Sequence, residues 1–177
     1  MPMMTLDRTL AVLNEMQADG IVGGYAIGGA VAAFLHIEPG STFDLDIFIP
    51  WEPDSGGFIT LDPIYRYLRE KGHAEFRHEG IVIEGWPVQF LPTASGLVKE
   101  ALEQATTVDI GGVKTRIFTQ EHLMAICLQT ARPKDLARLL QFIEAASYDG
   151  PAFAAVLQRW ALQDAWENFK KRFSLTP

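Results

Sequence analysis

Gly23-Gly24-Tyr25-Ala26-Ile27-Gly28-Gly29-Ala30 and, a short distance on, Phe43-Asp44-Leu45-Asp46-Ile47-Phe48 decide the reading of this chain. A glycine pair opens an apolar helix, and a hydrophobic strand then carries two aspartates one residue apart. Side chains at i and i+2 of a strand share a face. Asp44 and Asp46 therefore project together, and Leu45 and Ile47 face the other way. Adjacent carboxylates repel, and a hard cation such as Mg²⁺ bridging them relieves the repulsion. Glycines let a backbone approach a ligand closely, and the helix N-terminus behind them favours an anion. A phosphate site beside a metal site points to nucleotide chemistry.

The flanks supply a scaffold for that pair. Leu6, Leu10, Leu13 and Met16 recur at helical spacing, and Ala18-Asp19-Gly20 ends the helix. Ala30 to His36 has no polar face and reads as a buried helix. Glu38 to Thr42 is a loop, and Phe43 to Ile49 is a strand. That strand is apolar on both faces apart from its aspartates, which places it centrally in a sheet. A loop at Glu52 to Gly57 precedes a helix that Thr60-Leu61-Asp62-Pro63 opens and Gly72 stops. Ala74 to His78, Gly80 to Glu84 and Trp86 to Leu91 read as strands, with Pro87 moving the last toward an edge or making its first residue irregular. Ser95 to Gln104 is helical. Gly111-Gly112 joins Thr106 to Ile110 and Val113 to Phe118 as a hairpin. From Thr119 the chain is helical. Pro133 opens a second helix near Arg132, and Pro151 opens a third bearing Trp160 and Trp166 as packing residues. The expectation is an α/β (α+β) fold with a small mixed sheet flanked by helices. Residues 1–118 form the core, and 119–177 form a helical part packed on it without a flexible linker.

Composition narrows the classes. Of the 177 residues, 48% are hydrophobic and 21% charged, the balance of an ordinary globular protein. The single cysteine, Cys127, excludes an internal disulfide and a cysteine-based zinc cage. No apolar run is long enough to span a bilayer, and the first residues do not read as a signal peptide, so the expected location is the cytoplasm. The formal net charge of −7 argues against a broad nucleic-acid footprint. Only Arg132 to Arg138 and Lys170-Lys171-Arg172 are locally basic. His36, His73, His78 and His122 show no ligand spacing.

Gly28-Gly29, a helix, and then Asp44-Leu45-Asp46 in a hydrophobic strand resemble the polymerase-β-like nucleotidyltransferase superfamily. Within it the chain is similar to the AbiEii-type group, which includes toxin components of toxin–antitoxin and abortive-infection systems. Three further stretches carry the likeness. Pro87-Val88-Gln89-Phe90-Leu91-Pro92 looks like the following strand. Val113 to Ile117 before Glu121 to Ile126 looks like the strand-to-helix step, and Gln129-Thr130-Ala131-Arg132-Pro133-Lys134-Asp135 looks like the Arg-x-Lys-Asp segment.

The resemblance implies Mg²⁺- or Mn²⁺-dependent transfer of a nucleotidyl group from an NTP to an acceptor. Asp44 and Asp46 would hold the metals and Gly28 and Gly29 would contact the triphosphate, with Thr42 beside them. Lys134 and Asp135 would sit near the nucleotide. Gln89 stands where many members have a third carboxylate, with Glu84 as the nearest acidic substitute. Cys127 stands where toxin-like members carry a lysine, and Gly40 where many carry an arginine. The implied partners are a nucleotide and an antitoxin-like protein. A tRNA acceptor gets no support from the charge. A catalytically silent relative that binds nucleotide or a partner is the first alternative. A haloacid-dehalogenase phosphatase would have a hydroxyl residue where Phe48 stands. A glycosyltransferase DxD loop would not need Gly28-Gly29.

Overall fold

The computed structural model describes residues 3–37, 44–50, 60–93 and 96–175, with side chains from Leu6 onward. Thr42 and Gly40 lie outside the described residues, as do the two loops expected at Glu38 to Thr42 and Glu52 to Gly57. Seven strands form one mixed sheet: β1 Ala26–Ile27, β2 Leu45–Pro50, β3 Phe76–Arg77, β4 Gly80–Ile83, β5 Trp86–Thr93, β6 Thr106–Ile110 and β7 Val113–Ile117. Their order is β3-β4-β5-β2-β1-β7-β6. Around the sheet lie α1 Met3–Ala18, α2 Gly29–Phe34, α3 Asp62–Glu70 and α4 Gly96–Glu103. The chain continues as α5 Gln120–Thr130, α6 Pro133–Ala145, α7 Gly150–Arg159 and α8 Gln163–Arg172. This is the expected mixed sheet with a helical C-terminal part.

The aspartate strand β2 is central, antiparallel to β1 and parallel to β5. Its residues alternate: Leu45, Ile47 and Ile49 are buried, while Asp46, Phe48 and Pro50 are half-buried. One face of the strand thus feeds the core and the other opens onto the site.

Pro87 does not put β5 at an edge. The strand lies between β4 and β2. The described β2 ladder begins only at Val88, so at Pro87 the strand has β4 as its one paired neighbour there. Pro92 is the converse case. It pairs with Ile49 of β2, beyond the last residue of β5 that pairs with β4. Each proline sits where one side of the strand needs no backbone donor.

The C-terminal segment also differs from expectation. Trp160 and Trp166 do not share a helix, because α7 ends at Arg159 and α8 starts at Gln163. Ala161 makes the break in a left-handed conformation, φ 53°, and Leu162 N donates back to Leu157 O at 2.8 Å. That is a helix stop normally built on glycine. Ala131 and Ala146, both at φ 50°, end α5 and α6 in the same way.

Helix α5 has little polar face, with Leu123, Met124, Ala125, Cys127 and Leu128 buried. It packs against α2, α4, α6, α7 and α8. A cluster around Glu100 binds α4, α5 and α7 together. Arg159 Nη2 donates to Glu100 Oε1 at 2.6 Å, His122 Nε2 lies 3.0 Å from the same oxygen, and Trp160 Nε1 donates to Oε2 at 3.1 Å. The Arg159 guanidinium outweighs burial and, with His122 and Trp160, holds the Glu100 carboxyl at about 2.

Candidate functional site

The glycine pair is fastened to the aspartate strand. Gly28 N donates to Asp46 O at 3.1 Å, and the first turn of α2 closes with Ala32 N on Gly28 O. The N–H of Gly28 is therefore engaged by the strand, while those of Gly29, Ala30 and Val31 precede the first intrahelical bond. Gly29 has φ 59°, and a Cβ there would lie 1.9 Å from Asp46 Oδ2. A Cβ on Gly28 would lie 2.4 Å from Phe48 Cε2. Both glycines are required by close approach, one under the carboxylate and one under the Phe48–Phe118 ring pair, whose centroids are 4.7 Å apart.

A cavity of about 640 Å³ lies between this face of the sheet and helices α5 and α6. Asp44, Asp46 and Gln89 line its acidic side, and Phe48, Leu91 and Ile126 its apolar side. Arg132, Lys134 and Arg138 line its basic side. Asp46 is the Cα partner of Gln89 and Phe48 that of Leu91. Neighbours in parallel register point the same way, so these four side chains form one surface.

The electrostatics follow from this arrangement. Burial, followed by the charge of Asp44, raises the Asp46 carboxyl above its ordinary value, and Lys134, Arg138 and Arg132 oppose the rise. The helix α6 that carries these cations begins at Pro133 with Arg132 as its N-cap residue. Among the described residues neither Lys134 nor Arg138 makes a salt bridge, and the Arg138 side chain hydrogen-bonds with the Cys127 thiol.

The structure brings Asp44, Asp46, Gly29, Gln89, Lys134 and Asp135 to one cavity; Gly28 is not among its lining residues. Asp135 is buried and held from two sides. Arg132 Nε donates to its Oδ2 at 2.6 Å and Thr130 Oγ1 to the same oxygen at 2.8 Å. Burial alone would raise this carboxyl, but Arg132 and Thr130 carry it below its ordinary value. Its geometry is that of a tie between α5 and α6 that aims Arg132. Cys127 is a buried wall residue whose thiol burial pushes up to about 11, which disfavours the thiolate. Glu84 is not at the cavity. It occupies the β4–β5 turn, at φ 50°, and the acidic residue beside Gln89 is Glu79 at the opposite end of β4.

Two residues escape the motifs. Arg138 has a signal, since it stands four residues after Lys134 and so shares its helix face. Glu79 has none nearby, because the β3–β4–β5 meander brings it to Gln89. The described residues hold no group of three His, Cys, Asp or Glu side chains placed to bind a metal. The oxygen donors are two carboxylates and an amide, a set that suits a hard divalent cation and carries one charge fewer than three carboxylates. No described helix is long and apolar enough to cross a membrane.

A central aspartate-bearing strand fastened to a Gly-Gly helix, in a mixed sheet backed by helices, defines a nucleotidyltransferase-like fold. Solved structures share it. One is an antigenic nucleotidyltransferase-like protein from Paracoccidioides brasiliensis, 20% identical, matched over 95% of this chain and 88% of that one at a TM-score of 0.58. Another is the antibiotic-resistance factor ANT(2'')-Ia, 14% identical, matched over 99% and 98% at 0.51. No protein-family profile and no curated protein matches the chain.

Proposed function

We propose that this protein is a nucleotidyltransferase that binds an NTP with Mg²⁺ or Mn²⁺ in the cavity above β2 and moves a nucleotidyl group to an acceptor. The observation that carries the reading is the pairing of Asp44 and Asp46 opposite Lys134 and Arg138, over a glycine with no room for a side chain. The raised Asp46 carboxyl fits a cation site, because a bound cation stabilises the ionised form that burial and Asp44 disfavour.

Asp44, Asp46 and the Gln89 amide oxygen would hold the cation. When bound, it supplies charge neutralisation of the triphosphate and a lowered pKa for the acceptor group. Lys134 and Arg138 bind phosphate oxygens from the opposite wall. The Gly29 backbone, kept bare by its fit against Asp46, lets the triphosphate lie close to the chain, with Gly28 holding that loop to β2. Asp135 orients Arg132 toward the same anion. Phe48, Leu91 and Ile126 give the base or the acceptor an apolar wall. Thr42, beside the aspartates in sequence, belongs to the nucleotide-binding set in this reading. An AbiEii-type toxin role, with an antitoxin-like partner in the cytoplasm, is the finer form of the proposal and rests on the sequence motifs.

Calorimetric titration with each of the four NTPs, with and without Mg²⁺, tests it: binding that needs the cation supports the reading, and no binding of any NTP opposes it. The second reading, a silent nucleotide-binding relative, is favoured by Gln89. It predicts the same titration without transfer of label from an α-labelled NTP.

A further inference from the structure

Gln89 is flanked on both sides by acid. Asp46 stands beside it in register on β2, and Glu79 Oε2 accepts a hydrogen bond from its Nε2 at 3.1 Å from the other side. An ionised carboxylate only accepts, so only the NH₂ end of the amide can face Glu79. That contact turns the donor end of the amide to Glu79. Without it the half-buried glutamine could present NH₂ to the aspartates, and a cation site would meet a donor instead of an oxygen.

The hairpin that delivers Glu79 is seated on β5. Gly80 begins β4 so close to it that a Cβ would lie 2.8 Å from Val88 N. His78 turns the chain at φ 54° just before. Glu79 and Gln89 both line the cavity that holds Asp44 and Asp46.

We propose that Glu79 is a positioning residue of the cation site: it fixes the Gln89 amide so that Oε1 joins Asp44 and Asp46 as a neutral third oxygen donor, and it returns to the site the negative charge that glutamine lacks. The inference rests on the reading of the cavity as a site for a divalent cation and NTP. The pair Glu79–Gln89 then does the work of a single carboxylate, with charge and ligand on different residues. Outer partners that orient metal ligands in this way typically contribute tenfold or more to metal affinity.

The test is Mn²⁺ binding without nucleotide, read from free Mn²⁺ by electron paramagnetic resonance. The proteins are wild type, Glu79→Gln, Gln89→Glu, the double variant and Asp46→Asn. In the wild-type background, Glu79→Gln frees the amide and removes a charge, so affinity falls by about tenfold. In the Gln89→Glu background the site carries its own third carboxylate and has no amide to orient, so the same substitution removes only a neighbouring charge and the loss is smaller. That difference between backgrounds is a coupling which a contact with no part in the site would not produce. Equal affinity for wild type and Glu79→Gln, or an equal loss in both backgrounds, overturns the role of Glu79. Asp46→Asn separates the two levels. If it abolishes Mn²⁺ binding while Glu79→Gln is neutral, only the Glu79 proposal fails. If wild type binds no Mn²⁺, or Asp46→Asn binds it equally well, the cation reading fails and this proposal with it.

Discussion

Replacing Gly29 by alanine should damage the fold and the site together, and the two losses can be separated. Gly20 is the reference. It has φ 71°, and a Cβ placed on it would meet nothing within 4 Å, so Gly20→Ala measures the left-handed backbone alone. An L-residue in that region costs about 1–2 kcal/mol, partly offset by the smaller conformational freedom of alanine in the unfolded chain, so about 1 kcal/mol remains. Gly29, at φ 59°, carries the same term. Its Cβ would also stand 1.9 Å from Asp46 Oδ2, and ordinary contact at 3.4 Å requires the carboxylate to retreat by about 1.5 Å. Swinging it off its rotamer adds about 0.5–1.5 kcal/mol, for a total of roughly 2 kcal/mol. Urea denaturation of both variants gives the comparison through the shift of midpoint at unchanged slope. Asp46→Ala removes the clashing carboxylate and leaves a 3.2 Å contact with its Cβ. In that background the excess loss of Gly29→Ala should shrink toward the Gly20 value. Equal losses for Gly20→Ala and Gly29→Ala, with unchanged Mn²⁺ affinity, would refute the close fit of glycine and aspartate.

Two further outcomes are expected. Glu100 has its carboxyl lowered to about 2 from an ordinary 4.5, so its ionised form favours the native state. That stability is present above pH 4.5 and is lost as pH falls through about 2. Glu100→Gln should lose about 2–3 kcal/mol at pH 7, allowing for the exposure of Arg159, and should lack this step in an acid titration of stability; matching wild-type and variant curves would speak against the cluster as a tie between helices. Ala146→Gly and Ala161→Gly should each raise stability by about 0.5–1 kcal/mol, because both alanines sit at φ 50° and 53° where glycine is unstrained; a lowered melting temperature in both would contradict that account of the helix stops.

The central strand was readable because its physics is local. Asp44-Leu45-Asp46-Ile47 alternates at period two, and the structure honours that alternation residue by residue. The Gly111-Gly112 hairpin and the Pro133 helix start were readable for the same reason, since each turn chemistry resides in adjacent residues. The helix stops were harder. Sequence rules look for glycine, and this chain ends α5, α6 and α7 on the exposed Ala131, Ala146 and Ala161, each left-handed where the backbone hydrogen-bonds back to the preceding turn. Of the two readings of Pro87, the edge fails and the irregular strand start fits, because a strand can be paired on one side at one residue and on both at the next. In the site, the motif residues were visible. Glu79 was not, because its relation to Gln89 exists only once β3, β4 and β5 are stacked side by side.

Asp46→Asn asks whether Asp46 serves a cation-dependent nucleotide site, as proposed. The substitution removes the charge at nearly constant size. Because burial and Asp44 raise the native carboxyl, its ionised form weakens the fold as pH rises, and the neutral amide should leave the melting temperature unchanged or higher at pH 7. Calorimetry on wild type and variant, with the NTP that binds wild type and with Mg²⁺, is the decisive comparison. Mg²⁺-dependent binding by wild type and none by the folded variant is expected. Equal affinity in both would contradict it.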